Sequence, residues 1–417
     1  MKKLSVLFQT AAITASLLLS PLSSVLAATP ADTVSQEKTE ITFMVSGTGD
    51  YAQRYKESLE EKLLDDFPDI EITVEAYPDE QYYSTLNTKL SMGDGPDFFR
   101  IQSYWAGPNA VQKLAPADYL VPLDDLPVIQ STDKNNTDPF TYNGHIYSLD
   151  DGSMILCTYY NKSVFQKLGL SIPQNWQEFL DVCETLKQNG ITPIVAGNKD
   201  SYTMQFCLYQ IAASQVYAEN PDFNAQLADG TTHFTDPGTW DKVLDQYLLL
   251  FKNNYVLEHS LTMGNSEAIE RFTNGEAAML FNANFTYPSL TTAMGEDEVG
   301  AFPLPANDVG QPVYTVISKG NGTAVYSGSK HIELCKQIFN KLYAPADASA
   351  TEESSADNIW QIFLNLQEKG QYTNNCNQGW KGDVEWTLED GLSQKIAGAS
   401  ISVNYITAQM QKAYENG

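Results

Sequence analysis

Basic residues are scarce in this chain: 25 lysines and arginines stand against 52 aspartates and glutamates, a net charge of −27. Such acidity argues against nucleic acid and against anionic membrane surfaces as partners, and its simplest consequence is solubility. Cysteine is sparse too. Cys157, Cys183, Cys207, Cys335 and Cys376 are widely scattered and form no C-x-x-C, which excludes zinc ribbons and thioredoxin-type chemistry. Cys157 and Cys183 lie in apolar patterns and read as small packed hydrophobes. The histidines (His145, His233, His259, His331) share no metal spacing and no H-E-x-x-H occurs, so no metal or cofactor is expected. A G-x-S-x-G elbow is missing as well, which leaves a hydrolase triad without support and no residue assigned to catalysis.

Long apolar runs are absent except at the start. Lys2-Lys3, an apolar stretch from Leu4 to Leu19 and the A-x-A-like Val25-Leu26-Ala27 read as a secretory signal over residues 1–27. As a membrane span the stretch is too short, and Thr14, Ser16, Ser20 and Pro21 break it. No cysteine closes the signal for lipid attachment, so a free periplasmic or cell-exterior protein is expected, soluble after cleavage and monomeric. Cleavage removes two lysines and no acid, taking the charge from −27 to about −29. Residues 28–39 are a polar leader. A chain of 417 residues, 42% hydrophobic, can then build more than one core.

Ile41, Phe43 and Val45 alternate as a strand; Tyr55, Leu59, Leu63 and Phe67 form a helical stripe. Ile70 to Ala76 alternates again, Tyr82, Leu86 and Leu90 mark a helix stopped near Gly93, and Asp97–Gln102 is a third strand. The β-α-β-α-β order predicts a parallel sheet with right-handed crossovers, whose ligands sit beyond the carboxyl ends of the strands. Those ends, Ser46–Tyr51, Tyr77–Gln81 and Gln102–Trp105, are polar and aromatic. Carboxylates and amides suit sugar hydroxyls, and flat rings suit a sugar's apolar face. Tyr51, Asp79, Tyr104 and Trp105 are the candidates here. No basic cluster accompanies Arg54 and Arg100, which argues for a neutral ligand over a phosphate or carboxylate.

Residues 142–197 read as a crossing between two halves. Ile146–Leu149 and Ile155–Tyr160 are β-rich runs around the break Asp150-Asp151-Gly152. Ser163 is placed to cap a short helix that stops at Gly169. Asn175-x-x-Glu178 reads as a capping box, followed by Trp176, Phe179, Val182, Cys183 and Leu186 at helical spacing, a stop at Gly190 and a strand over Thr192–Ala196. Thr235-Asp236-Pro237 opens a further helix with Trp240, Val243, Leu244, Tyr247 and Phe251.

The pieces Tyr160-Asn161-Lys162, Phe165-x-Lys167-x-Gly169-Leu170, Asn175-Trp176-x-Glu178-Phe179 and Leu186-Lys187-x-x-Gly190-Ile191-Thr192-Pro193-Ile194, in this order, resemble the family 1 extracellular solute-binding proteins. These are the sugar-capturing components of ABC importers. The resemblance implies an α/β, two-lobed periplasmic-binding-protein-like fold, each lobe a sheet with flanking helices and the ligand cleft between lobes. It implies crossings near 142–160 and 299–312, with lobe 1 over 40–145 and 306–345 and lobe 2 over 146–305 and 346–417. Gly93-Asp94-Gly95-Pro96-Asp97 is similar to the family's signature, which carries onto Tyr104, Trp105 and Asp79. Phe272–Leu280 resembles the family's F-x-x-Gly-x-Ala-Ala-Met strand entry. The Gly-x-Trp that comes next in the family is here Asn282-Ala283-Asn284-Phe285, so Phe285 replaces the tryptophan. Val299–Pro305 resembles the return to the first lobe, and Ser327–His331 the cap of the helix after it. Trp386 falls about where the family often places a pocket aromatic, although Trp380 and Trp386 read equally well as packing. Asp150, Asp151 and Asn284 complete the candidate set.

Other chemistries have less behind them. Gly47-x-Gly49-x-x-Ala52 is formally a dinucleotide fingerprint, with Glu75 or Asp79 as its acidic partner, but an export signal and the competing family pattern argue against a nucleotide-dependent oxidoreductase. A secreted carbohydrate-active enzyme needs only two facing carboxylates, and nothing in the sequence singles out a pair. The expectation is capture of a neutral mono- or oligosaccharide by hinge closure, then delivery to an ABC-type permease.

Overall fold

The computed structural model describes residues 38–47, 51–103, 107–344 and 359–417. The signal, most of the leader and residues 345–358 lie outside that set. Alternation of apolar residues produces the first sheet. The first elements are β1 (Thr39–Ser46), α1 (Tyr51–Leu63), β2 (Ile70–Tyr77), α2 (Asp79–Met92) and β3 (Phe98–Gln102). β1 lies between β2 and β3, parallel to both. Ile41, Phe43, Ile72 and Phe98 pack with Leu59 and Leu63 of α1, and the Phe43 and Phe98 rings stack at 4.5 Å. α2 ends at Gly93 in the left-handed region, φ 73°, as its place after the stripe predicts.

A small hairpin pairs Thr141–Tyr142 with His145–Ile146. The strand expected over Ile146–Leu149 is confined to His145–Ile146, because residues 147–153 carry the chain to the second sheet. That sheet begins with β4 (Met154–Asn161), followed by α3 (Lys162–Leu168), α4 (Trp176–Gln188) and β5 (Thr192–Val195). Asn161, not Ser163, caps α3: its side chain accepts from the Val164 N–H at 2.9 Å, while the Ser163 hydroxyl donates to Glu298. The capping box of α4 is present in both directions. Asn175 Oδ1 accepts from the Glu178 N–H at 3.0 Å, and Glu178 accepts from the Asn175 amide and the Gln174 N–H. Its buried face is Trp176, Phe179, Val182, Cys183 and Leu186.

Further on come α5 (Gln205–Ala212), α6 (Trp240–Lys252), α7 (Asn265–Thr273), β6 (Ala277–Ala283), β7 (Val299–Phe302), β8 (Thr315–Ser318) and β9 (Asn321–Val325). α6 starts at Trp240, three residues past the expected Pro237, since Asp236 is engaged in a turn with Thr232 and His233. The chain closes with α8 (Ile332–Leu342), β10 (Tyr372–Thr373), α9 (Val384–Ile396) and α10 (Val403–Asn416). The second sheet runs β10–β8–β4–β6–β5, with β7 also on β4, and the first runs β9–β3–β1–β2. Trp380 is plain core: it meets the Trp240 and Phe234 rings at 5.1 Å each.

The return crossing differs from the expected 299–312. β7 pairs antiparallel with β4, and so does β8, so the chain is still in the second sheet at Ser318. The loop between them is held there: Leu304 N–H donates to Gln210, and Asn307 accepts from the Trp176 N–H and donates to Gln174. Only Lys319-Gly320 separates β8 from β9, which pairs antiparallel with β3 in the first sheet.

Asn175→Ala removes the cap of α4 and is expected to lower the unfolding free energy by about 0.5–2 kcal/mol. Urea denaturation measures it, and an unshifted midpoint would mean that the cap contributes nothing.

Candidate functional site

Topology puts two sets of strand ends on either side of the crossing. β1, β2 and β3 finish at the edge where antiparallel β9 begins. β5 and β6 finish at the edge where β4 begins and β8 ends. Residues 147–153 and 319–320 join these two edges. The two passages run side by side. Asp150 Oδ1 accepts from the Gly320 N–H at 2.7 Å, the Asp151 N–H donates to Asn321 O at 2.7 Å, and the Ser148 hydroxyl donates to Thr323 O at 2.8 Å. Gly320 has φ 112°, and a Cβ there would meet Ser103 O at 3.0 Å, so only glycine fits without strain.

On the first sheet, Tyr51 opens α1 with its ring over Gly47; a Cβ at Gly47 would come within 2.3 Å of that ring. Tyr51 stacks on Tyr55 at 6.0 Å. Asp151 accepts from the Tyr343 hydroxyl and, at 3.3 Å, from Thr323 Oγ1. Crowding by protein raises the Asp151 carboxyl above its ordinary value, and the Arg100 charge opposes this. Asp151 as a residue nonetheless keeps exposed surface. Burial likewise raises Asp150, opposed by the Gly320 hydrogen bond and the Lys319 charge. Lys319 ties both sides: its ammonium donates to Asn136 at 2.7 Å and its N–H to Asn374 at 3.2 Å.

On the second sheet, Asn284 is committed to backbone, accepting from the Ile155 N–H and donating to Ser153 O, each at 3.0 Å. Phe285 beside it is 57% exposed. Its ring meets Phe206 edge-on at 6.1 Å, and Phe206 meets Tyr202 edge-on at 5.9 Å. Tyr202 was not among the residues expected from sequence. It comes after the end of β5 by a short loop, so the strand-end reasoning used for the first sheet finds it. Trp386, on α9, is 65% exposed. Tyr104 and Trp105 lie outside the described residues, as does the side chain of Asp79, whose backbone opens α2. Thus Asp150 and Asp151 come together at the crossing, Tyr51 stands on one side and Phe285 on the other.

No group of three or more His, Cys, Asp and Glu among the described residues is arranged to hold a metal. All five cysteines are buried and unpaired, and burial pushes the Cys157 and Cys183 thiols well up, away from nucleophilic thiolate.

The profile of one family, described as bacterial extracellular solute-binding protein, matches residues 37–349. The chain belongs to that family. A curated relative, the multiple sugar-binding protein of Streptococcus mutans, is 24% identical over 287 residues, 65% of this chain and 64% of its own length. The chain therefore spans somewhat less than two thirds of the relative it matches. Among solved structures, a chitin oligosaccharide binding protein is 21% identical with TM-score 0.75, covering 91% of this chain and 99% of that one. RafE in complex with raffinose is 16% identical with TM-score 0.71, covering 90% and 99%. At these identities the structures speak for the two-lobed fold.

Asp150→Ala would leave the buried Gly320 N–H without its acceptor, at a cost of about 1–3 kcal/mol, whereas Asp150→Asn keeps an acceptor oxygen and should cost less. Equal denaturation midpoints for the two variants would remove this bond from the crossing's support.

Proposed function

We propose that the protein captures a neutral mono- or oligosaccharide between its two lobes and delivers it to an ABC-type permease, acting as an exported monomer. One lobe comprises residues 39–149 with 321–344, the other 154–318 with 359–417. The observation that carries this reading is the placement of tyrosine and phenylalanine rings at strand ends on both sides of a two-passage crossing. Phe285 and Trp386 are both largely exposed, so their rings are free to stack on a ligand. Rings with polar neighbours suit the two faces of a sugar, apolar below and hydroxylated at the edge. The relatives described above, binders of sugars, chitin oligosaccharide and raffinose, point the same way.

In this mechanism no bond is made or broken. A ligand that touches both lobes binds the closed arrangement better than the open one and shifts the population towards it. The hinge lies at 147–153 and 319–320, where few residues need change their dihedrals. Asp79, Tyr104 and Trp105 would complete the first lobe's wall, and Phe285 the second's. Asp150 and Asp151 serve the hinge more than the ligand, since Asp150 Oδ1 is taken by the Gly320 N–H and the two Asp151 oxygens by Tyr343 and Thr323.

Titration calorimetry with a panel of mono- and oligosaccharides, with chromatography of the mixtures, tests the proposal. Saturable binding without new products is expected, and Phe285→Ala should weaken it by about 1–3 kcal/mol. At a hundredfold excess over Kd the sugar should stabilise the fold by about 2.7 kcal/mol. Cleavage products would make the protein an enzyme, and a thermal shift caused only by phosphate, peptide or nucleotide would overturn the ligand class.

A further inference from the structure

Two carboxylates stand one turn apart on α9, Glu385 and Glu389, and neither is explained by the capture mechanism. Glu389 is 5% exposed. It accepts from the Ser201 hydroxyl at 2.5 Å and from the Gln205 amide at 3.0 Å. Glu385 also accepts from the Gln205 amide, from Tyr209 at 3.3 Å and, through its two oxygens, from the Asn377 amide at 3.1 and 3.2 Å. Burial raises the Glu389 carboxyl, opposed by its bonds from Gln205 and Ser201. Burying an acid this way is costly, and the bonds Glu389 gathers all converge on one short segment.

That segment is Ser201–Gln205, and Tyr202 lies between its two anchored residues. Tyr202 is 38% exposed, and its hydroxyl is approached by Asn265 Nδ2 at 3.4 Å. Asn265 is in turn fixed by Asn282 of β6 and by Asp200. Phe206 comes directly after and supports the Phe285 ring. Ser201–Met204 is a single 3-10 turn ahead of α5, with few backbone bonds of its own, and charge-assisted bonds from α9 fix it at both ends.

We propose that Glu389, seconded by Glu385, is a positioning residue: it acts through Ser201 and Gln205 to hold Tyr202 and Phe206 as a fixed aromatic wall with Phe285. This rests on the reading of that wall as the sugar-facing side of the second lobe. Neither acid needs to touch the ligand. The wall's rigidity saves the entropy of ordering rings on binding, so its effect falls on affinity.

Hydrogen exchange of the ligand-free full chain, followed on peptides covering residues 198–206, tests the positioning by itself. Glu389→Ala should raise exchange there severalfold over wild type, with peptides of β1 to β3 unchanged. Glu389→Gln, which keeps an acceptor for Ser201, should recover part of the protection. Should Glu389→Ala fail to fold, Ser201→Ala removes the same bond from the other end and should raise exchange alike. Unchanged protection in the folded variants would overturn the proposal. The affinity arm uses whichever sugar binds the wild type. Glu389→Ala should weaken it about tenfold, and that loss should shrink towards none in a Tyr202→Ala background; fully additive losses would sever Glu389 from the wall. If exchange rises but no sugar binds the wild type, the positioning role stands and the sugar reading falls.

Discussion

The arrangement depends on one constraint: two stretches of chain that pass between separate sheets must satisfy their backbone groups on each other. Buried N–H and C=O groups left unpaired at such a passage would each cost on the order of 1–3 kcal/mol. Here Asp150 takes the Gly320 N–H, Asn321 O takes the Asp151 N–H and Ser148 reaches Thr323. The two passages are thereby joined to each other, between the strand ends of the first sheet and those of the second.

The same constraint explains why the second passage can be short. Lys319-Gly320 is all that links β8 to β9, and glycine alone tolerates the φ of 112° found there. Lys319 reaches Asn136 with its side chain while its N–H holds Asn374, so one residue touches elements associated with each sheet. The Asp151 carboxylate is held by Thr323 of β9 and by Tyr343 at the end of α8. The two sheets carry separate apolar cores, with Phe43 and Phe98 in one and Trp240 and Trp380 in the other, so the proposed closure would leave both intact.

Much of this was legible in the sequence where the cause is local. Alternation gave β1 and β2, the helical stripe gave the buried face of α4, and Asn175 with Glu178 announced a cap that is present, with Glu178 reaching back to the Asn175 amide and the Gln174 N–H. The break at Asp150-Asp151-Gly152 was visible too, but the work of Asp150 was not, since its partner Gly320 lies 170 residues on. The return crossing was misplaced for a similar reason. Val299–Phe302 has the pattern of any short strand, and only pairing with β4 decides which sheet receives it. Asn284 stands in the run that replaces the family's Gly-x-Trp, which made it a ligand candidate; its bonds to Ile155 and Ser153 depend on a strand far away in sequence. Tyr202 stands a loop beyond the end of β5 rather than at the strand end itself, and its line of rings with Phe206 and Phe285 is made only by folding.

Capture by closure is most directly tested by small-angle scattering of the full chain with and without a saturating sugar that calorimetry shows to bind. Closure of the lobes about residues 147–153 and 319–320 predicts a smaller radius of gyration in the bound state, because the ligand favours the compact arrangement. A sugar that binds saturably and leaves the scattering curve unchanged would contradict it.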